Sequence, residues 1–126
     1  MSWDIVLFNS RQTINSVDEI DEDFFEPTDF DAVLENHFDS IERQDNHRRI
    51  KEHDFEIEFF IDEENVSNKI LSLYGEQGLF EIIILARQNG WQIFDTGLGQ
   101  MIILDSPQRN GYENFNNYLN QILNNK

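Results

Sequence analysis

The stretch Trp3-Asp4-Ile5-Val6-Leu7-Phe8 decides the fold. Side chains alternate across a strand, so Trp3, Ile5 and Leu7 share one face and Asp4, Val6 and Phe8 the other. Both faces are apolar except at Asp4, the pattern of a central strand covered on both sides. The rest of the chain should therefore supply strands to either side of this one.

Working outward, Phe55, Ile57, Phe59 and Ile61 recur with period two, predicting a strand over Phe55 to Asp62 whose other face is largely wet. Glu63 to Asn68 reads as a turn and Lys69 to Tyr74 as the returning strand. Leu79 to Ala86 is too apolar for a surface helix and too continuous for an edge strand. Glu76-Gln77 before it and Arg87-Gln88-Asn89-Gly90 after it read as a helix start and a glycine-terminated end, which predicts a largely buried helix. Trp91 to Thr96 and Gln100 to Leu104 flank Gly97-Leu98-Gly99 as a second hairpin, closed by Ser106-Pro107. Tyr112, Phe115, Tyr118, Leu119, Ile122 and Leu123 then form one face of a final helix, with Asn-rich sequence opposite.

Between the first strand and its partners, Asn9 to Thr28 is a polar, acidic connection containing Pro27, with Val17, Ile20, Phe24 and Phe25 as its sizeable apolar groups. Thr28-Asp29 looks like a cap, and Phe30, Val33, Leu34, His37, Phe38 and Ile41 at helical spacing predict a helix from Phe30 to Glu42. Gln44 to Lys51 is a polar break. The resulting sequence of elements begins with the β-α-β-β-α-β order of a ferredoxin-like unit and adds a strand and a C-terminal helix. The fold class is therefore α+β with a mainly antiparallel sheet, residues 1–126 forming a single domain. Trp3, Ile5, Leu7, Phe38, Ile83 and Phe94 are expected to share its core.

Charge narrows the function classes. The 126 residues carry 25 Asp and Glu against 9 Lys and Arg, a formal net charge of −16. Such a field repels nucleic acid and anionic lipid and favours a basic partner or simply solubility. No Lys or Arg falls between Arg11 and Arg43, whereas eleven acids do, and Arg43, Arg48, Arg49 and Lys51 then cluster. Without cysteine there is neither a disulfide nor a Cys/His zinc pattern, and no cofactor or metal is expected. Met1-Ser2-Trp3-Asp4 leads into an apolar stretch too short for a signal peptide, and no stretch reaches transmembrane length, so a cytoplasmic location is expected.

Each motif with catalytic overtones has a competing structural reading. Phe94-Asp95-Thr96-Gly97 resembles the Asp-Thr-Gly motif of aspartic proteases, in which two carboxylates share a proton, the second supplied here by dimerisation. Leu98-Gly99 departs from that family's continuation, and a hairpin in which Asp95 and Thr96 satisfy turn amides accounts for the same residues. His37, His47 and His53 are the available imidazole bases, but no Ser/His/Asp or Cys/His constellation accompanies them. Asp45 to Arg49 could form an anion site or a solvated turn. Asp18 to Asp31 lacks the alternating ligands, central Gly and closing Glu of an EF-hand loop. Gly75-Glu76-Gln77-Gly78 has neither the Lys nor the spacing of a phosphate loop.

At Trp3 to Ser10 and again at Trp91 to Gly97 the sequence resembles small acidic bacterial proteins of unassigned function. Small acidic α+β proteins of this kind resemble immunity proteins of bacterial toxin systems. The resemblance implies a non-enzymatic binding module whose acidic surface engages a basic protein partner. The partner-binding residues expected are Asp18, Glu19, Asp21, Glu22, Asp23, Phe24, Phe25 and Glu26, with Phe24 and Phe25 either as anchors or as side chains that pin the loop to its own core. The alternatives are a small aspartic-type hydrolase centred on Asp95 and a self-associating structural protein.

Overall fold

A strand apolar on both faces calls for neighbours on both edges, and the first strand has them. In the computed structural model, which describes residues 2–124 and side chains as far as residue 122, the chain order is β1 (Ser2–Phe8), α1 (Phe30–His37), β2 (Ile41–Gln44), β3 (His47–Lys51), β4 (Glu56–Phe60), β5 (Asn68–Tyr74), α2 (Glu76–Asn89), β6 (Gln92–Asp95), β7 (Gln100–Met101) and α3 (Phe115–Asn124). The strands make one seven-stranded sheet in the order β2-β3-β4-β5-β1-β6-β7. Every pair in it is antiparallel, and β1 lies between β5 and β6.

One face of the sheet carries the core. Ile5 and Leu7, Ile57 and Phe59, Leu71 and Leu73, and Ile93 are buried there, joined by Phe30 and Leu34 of α1, Leu79, Phe80, Ile82 and Ile83 of α2, and Phe115 of α3. The helices α1, α2 and α3 thus back the same face. The expectation that β1 is covered on both sides is corrected by this arrangement: Val6 and Phe8 point to the face without helices, where they are only partly buried. Phe94 belongs there too. Because Ile93 and Asp95 take the core side of β6, period two sends Phe94 away from Ile5, Leu7, Phe38 and Ile83, with which it was expected to pack. Trp3 packs at the margin of the core.

The helix predicted to run to Glu42 stops at His37. Phe38 is already extended, with φ −105 and ψ 140, and Ile41–Gln44 form a strand instead. Asp39-Ser40 favours this break, since short polar side chains compete for backbone hydrogen bonds. Cross-strand pairing favours the strand, for Ile41 opposes Ile50 and Glu42 opposes Arg49. Asp45-Asn46 closes the β2–β3 hairpin, Asp45 at φ 54, a conformation Asp tolerates better than most residues. The polar break expected over Gln44 to Lys51 is therefore mostly strand. With this extra hairpin the β-α-β-β-α-β, ferredoxin-like order is not reproduced, because four successive strands separate α1 from α2.

Other expectations hold. The hairpin of β4 and β5 pairs Ile57 with Leu73, and α2 is mostly buried and ends at Gly90 in the left-handed region. Its start needs Gly75, whose φ is 98 and where a Cβ would stand 2.9 Å from the Asp54 carbonyl oxygen. The strand β7 is shorter than expected because the Ile103 amide donates to Asn110 Oδ1, leaving the ladder. Leu123, assigned to the apolar face of the last helix, lies outside the residues whose side chains are described.

Candidate functional site

The acidic connection is a closed loop with fixed ends. Asn9 and Glu26 face each other, the Glu26 amide donating to the Asn9 carbonyl at 2.9 Å and Asn9 Nδ2 donating to the Glu26 carbonyl at 2.6 Å. Across the loop, Gln12 Nε2 donates to the Glu19 carbonyl at 2.6 Å while Gln12 Oε1 accepts from the Asp21 amide at 2.8 Å. Two 3-10 turns, Val17–Glu19 and Glu22–Phe24, are capped by the Ser16 and Asp21 side chains. The loop is tied to β6 through Gln92, which accepts from the Ile14 amide at 2.8 Å and donates to the Gln12 carbonyl at 2.7 Å; Ile14 is buried beside it.

This frame holds Asp18, Glu19, Asp21, Glu22, Asp23 and Glu26 exposed. The two Phe side chains divide. Phe25 stacks on Phe8 with centroids 5.7 Å apart and pins the loop to the sheet, so it does not stand out as an anchor. Phe24 remains 39% exposed, but the Arg11 guanidinium lies 5.2 Å over its ring. Arg11 also approaches Glu26 at 3.6 Å and donates to the Asp23 carbonyl. Linear distance hid this cation, because it precedes the acids by several residues and reaches them only when the loop closes.

Several acids further along the chain are occupied. Asp29 caps α1 through the Ala32 amide at 3.0 Å. Asp31 meets Lys69 at 2.8 Å. Glu35 accepts from Arg43 at 2.9 Å and from Arg48 at 3.0 Å; burial raises its pKa, but these two guanidinium contacts outweigh it and leave the carboxyl below its ordinary value. Arg49 bridges Glu56 at 3.3 Å and Glu58 at 2.7 Å. The arginines of the basic cluster are thus spent within the sheet and α1, while among the described residues unpaired acids concentrate at positions 18–23.

Asp95 is fully buried, with 0% exposure. Its Oδ1 accepts from the Gly97 amide at 2.9 Å and the Leu98 amide at 3.2 Å, and its Oδ2 accepts from the Tyr112 hydroxyl. Thr96 Oγ1 donates to the Asp4 carbonyl at 2.6 Å. These are the bonds of a braced turn, with the carboxylate enclosed rather than turned toward a substrate. Two of the imidazoles are also engaged: His37 Nε2 lies 3.0 Å from Glu81 Oε1, and His47 Nε2 lies 3.1 Å from Glu58 Oε2. Burial pushes the Glu81 carboxyl up, but its contacts with His37 and Tyr118 prevail and hold it below the usual range. Among the described residues, no group of three His, Cys, Asp or Glu is arranged to hold a metal ion, and no helix is long and apolar enough to cross a membrane.

Beside the loop, Asn15 and Val17 face Phe94, Met101 and Arg109 across a groove of about 460 Å³ on the sheet face without helices. Fold and site together define a class: an antiparallel sheet backed by helices on one side, with a braced acidic loop beside its open side. No protein-family model, curated protein or solved structure matches the chain.

Proposed function

We propose that this chain is a non-enzymatic binding module for a basic protein partner, acting in the cytoplasm in the manner of an immunity protein, with residues 18–26 as its electrostatic face. The observation that carries this reading is the loop itself. Its exposed carboxylates stand on a hydrogen-bonded frame that keeps them in place, and among the described residues the cation beside them, Arg11, bridges Glu26. Exposed charges held this way accelerate encounter with an oppositely charged surface, and a preorganised loop loses little freedom on binding. The hydrolase reading has less support, because the Asp95 carboxylate is buried and saturated. Self-association has to overcome the repulsion between two bodies of net charge −16.

The test is the association rate with a basic partner isolated from the native host, at low and moderate salt. It should fall with salt, and should fall about tenfold at low salt when Asp21→Asn, Glu22→Gln and Asp23→Asn are combined. A rate insensitive to both would remove the acidic loop from the interface.

A further inference from the structure

The open face of the sheet carries a transverse apolar row. Ile70 of β5 opposes Val6 of β1, Val6 opposes Phe94 of β6, and Phe94 opposes Met101 of β7. On the other side, the β4–β5 ladder ends at Glu58 opposite Ser72, and Phe60 lies two residues further along β4 on the face of Glu58. One apolar residue from each of four adjacent strands thus falls on one line, and Phe60 extends the same face on β4. Phe60 is 60% exposed and Ile70 61% exposed.

The fold does not demand this row. One level along the same strands, the same face carries Arg49, Glu58, Ser72 and Asp4, whose side chains satisfy one another: Arg49 meets Glu58 at 2.7 Å, and the Ser72 hydroxyl donates to Asp4 Oδ1 at 2.8 Å. Polar residues are therefore accommodated on the open face immediately beside the row. Exposed large apolar groups aligned in register cost solubility and call for a partner surface.

The row is continuous with the acidic loop. Val17, itself exposed, shares the groove with Phe94 and Met101 and directly precedes Asp18 and Glu19. At the Phe60 end, the loop leaving β4 carries exposed Glu63 and Glu64. An apolar centre flanked by exposed charge is the anatomy of a binding hot spot and its rim.

Resting on the function proposed for the acidic loop, we infer that the row of Phe60, Ile70, Val6 and Phe94 is the apolar centre of the partner interface. Its occupant is a cationic protein surface on which apolar side chains alternate with Lys or Arg. The charge decides the occupant: the same acids that attract such a surface repel a second copy of this chain and an anionic membrane. It also relocates the anchors. Phe25 is used to hold the loop to Phe8, and Phe24 lies beneath Arg11, whereas Phe60 and Ile70 stand largely open to solvent.

The experiment titrates the full, isotope-labelled chain by NMR with three short synthetic peptides: alternating Lys and Leu, alternating Lys and Gly, and alternating Glu and Leu. The Lys/Leu peptide should shift the amides of Phe60, Ile70, Val6 and Phe94 and bind about tenfold tighter than Lys/Gly, while Glu/Leu should not bind. Phe60→Gln with Ile70→Gln should lower Lys/Leu affinity to the Lys/Gly level with an unchanged thermal melt. Lys/Leu and Lys/Gly binding equally, at the acidic loop alone, would overturn the inference and leave the charge-based function standing. Failure of both cationic peptides would overturn the function as well. Glu/Leu binding as tightly as Lys/Leu would eliminate the cationic occupant. A dimer seen by sedimentation without peptide, and abolished by the double variant, would assign the row to a second copy and overturn the inference.

Discussion

Tyr112 donates its hydroxyl proton to Asp95 Oδ2, tying the segment before α3 to the last residue of β6. The other carboxylate oxygen holds the turn amides of Gly97 and Leu98, so a single buried side chain organises the β6–β7 hairpin and its contact with the C-terminal region. Tyr112→Phe should destabilise the protein by about 1.5–3 kcal/mol, the range for a hydrogen bond to a charged group, as read from urea melts at neutral pH. A wild-type melt would show that the bond contributes nothing.

The same contact makes stability sensitive to alkali. Burial first, and then Asp95, push the Tyr112 hydroxyl well above its ordinary 10.0, and burial with Glu81 does the same for Tyr118. Both groups keep their proton more tightly folded than unfolded. Their contribution is present in full below pH 10.0 and is lost as pH rises beyond it. Melts from neutrality into that range should show a decline that Tyr112→Phe and Tyr118→Phe each reduce.

At the acid end the sign reverses. Glu81 is held below its ordinary 4.5 because contacts with His37 and Tyr118 overcome burial. Its contribution is present above 4.5 and disappears as pH falls through the lower folded value. Glu81→Gln should flatten the acid limb of the stability profile without abolishing it, since Glu35 and Glu58 are lowered as well.

Two phenylalanines should behave oppositely under truncation. Phe80 is buried among Phe115, Tyr112 and Tyr118, so Phe80→Ala should cost about 3–5 kcal/mol. Phe94 lies on the open face, and Phe94→Ala should cost about 1 kcal/mol, the level of an ordinary substitution. Equal losses would mean that the open face is packed.

Lys69 is 5% exposed, its ammonium lying 2.8 Å from Asp31, 2.7 Å from Asp62 and within hydrogen-bond reach of the Phe60 carbonyl. Lys69→Met leaves Asp31 without its counter-charge and should cost about 3 kcal/mol, the low end for a broken buried pair because Asp62 is partly in water. Adding Asp31→Asn should recover part of that loss.

The strands with apolar residues at strict period two, such as Ile57 and Phe59, and the glycine-bounded helix α2 were legible because local pattern and burial agree there. The β2–β3 hairpin was not, since Ile41 continues the helical spacing of Phe30, Leu34 and Phe38, and only polar side chains separate it from Ile50. Its signal was Asp45-Asn46, two residues at ease in a tight turn. For the candidate site, the acids were plain but their environment was not. Nothing local announces that Arg11 folds over Phe24, or that Phe25 is spent on Phe8. The apolar row was hidden for a sharper reason: an apolar residue reads as core, and only the register distinguishes Val6 and Ile70 from Ile5 and Leu71.

The position of β1 between β5 and β6 also shapes how the molecule is made. The ribosome releases Ile5 long before Leu71 or Asp95 exists, so the first strand must wait for both of its neighbours. Strands β2 to β5 meanwhile pair in sequence through local hairpins, each closing a short loop. Inserting β1 beside that meander closes a long loop and is the slow step expected of non-local pairing. During the delay the nascent chain displays an unpaired segment apolar on both faces, the kind of surface that chaperones bind and that aggregates form around.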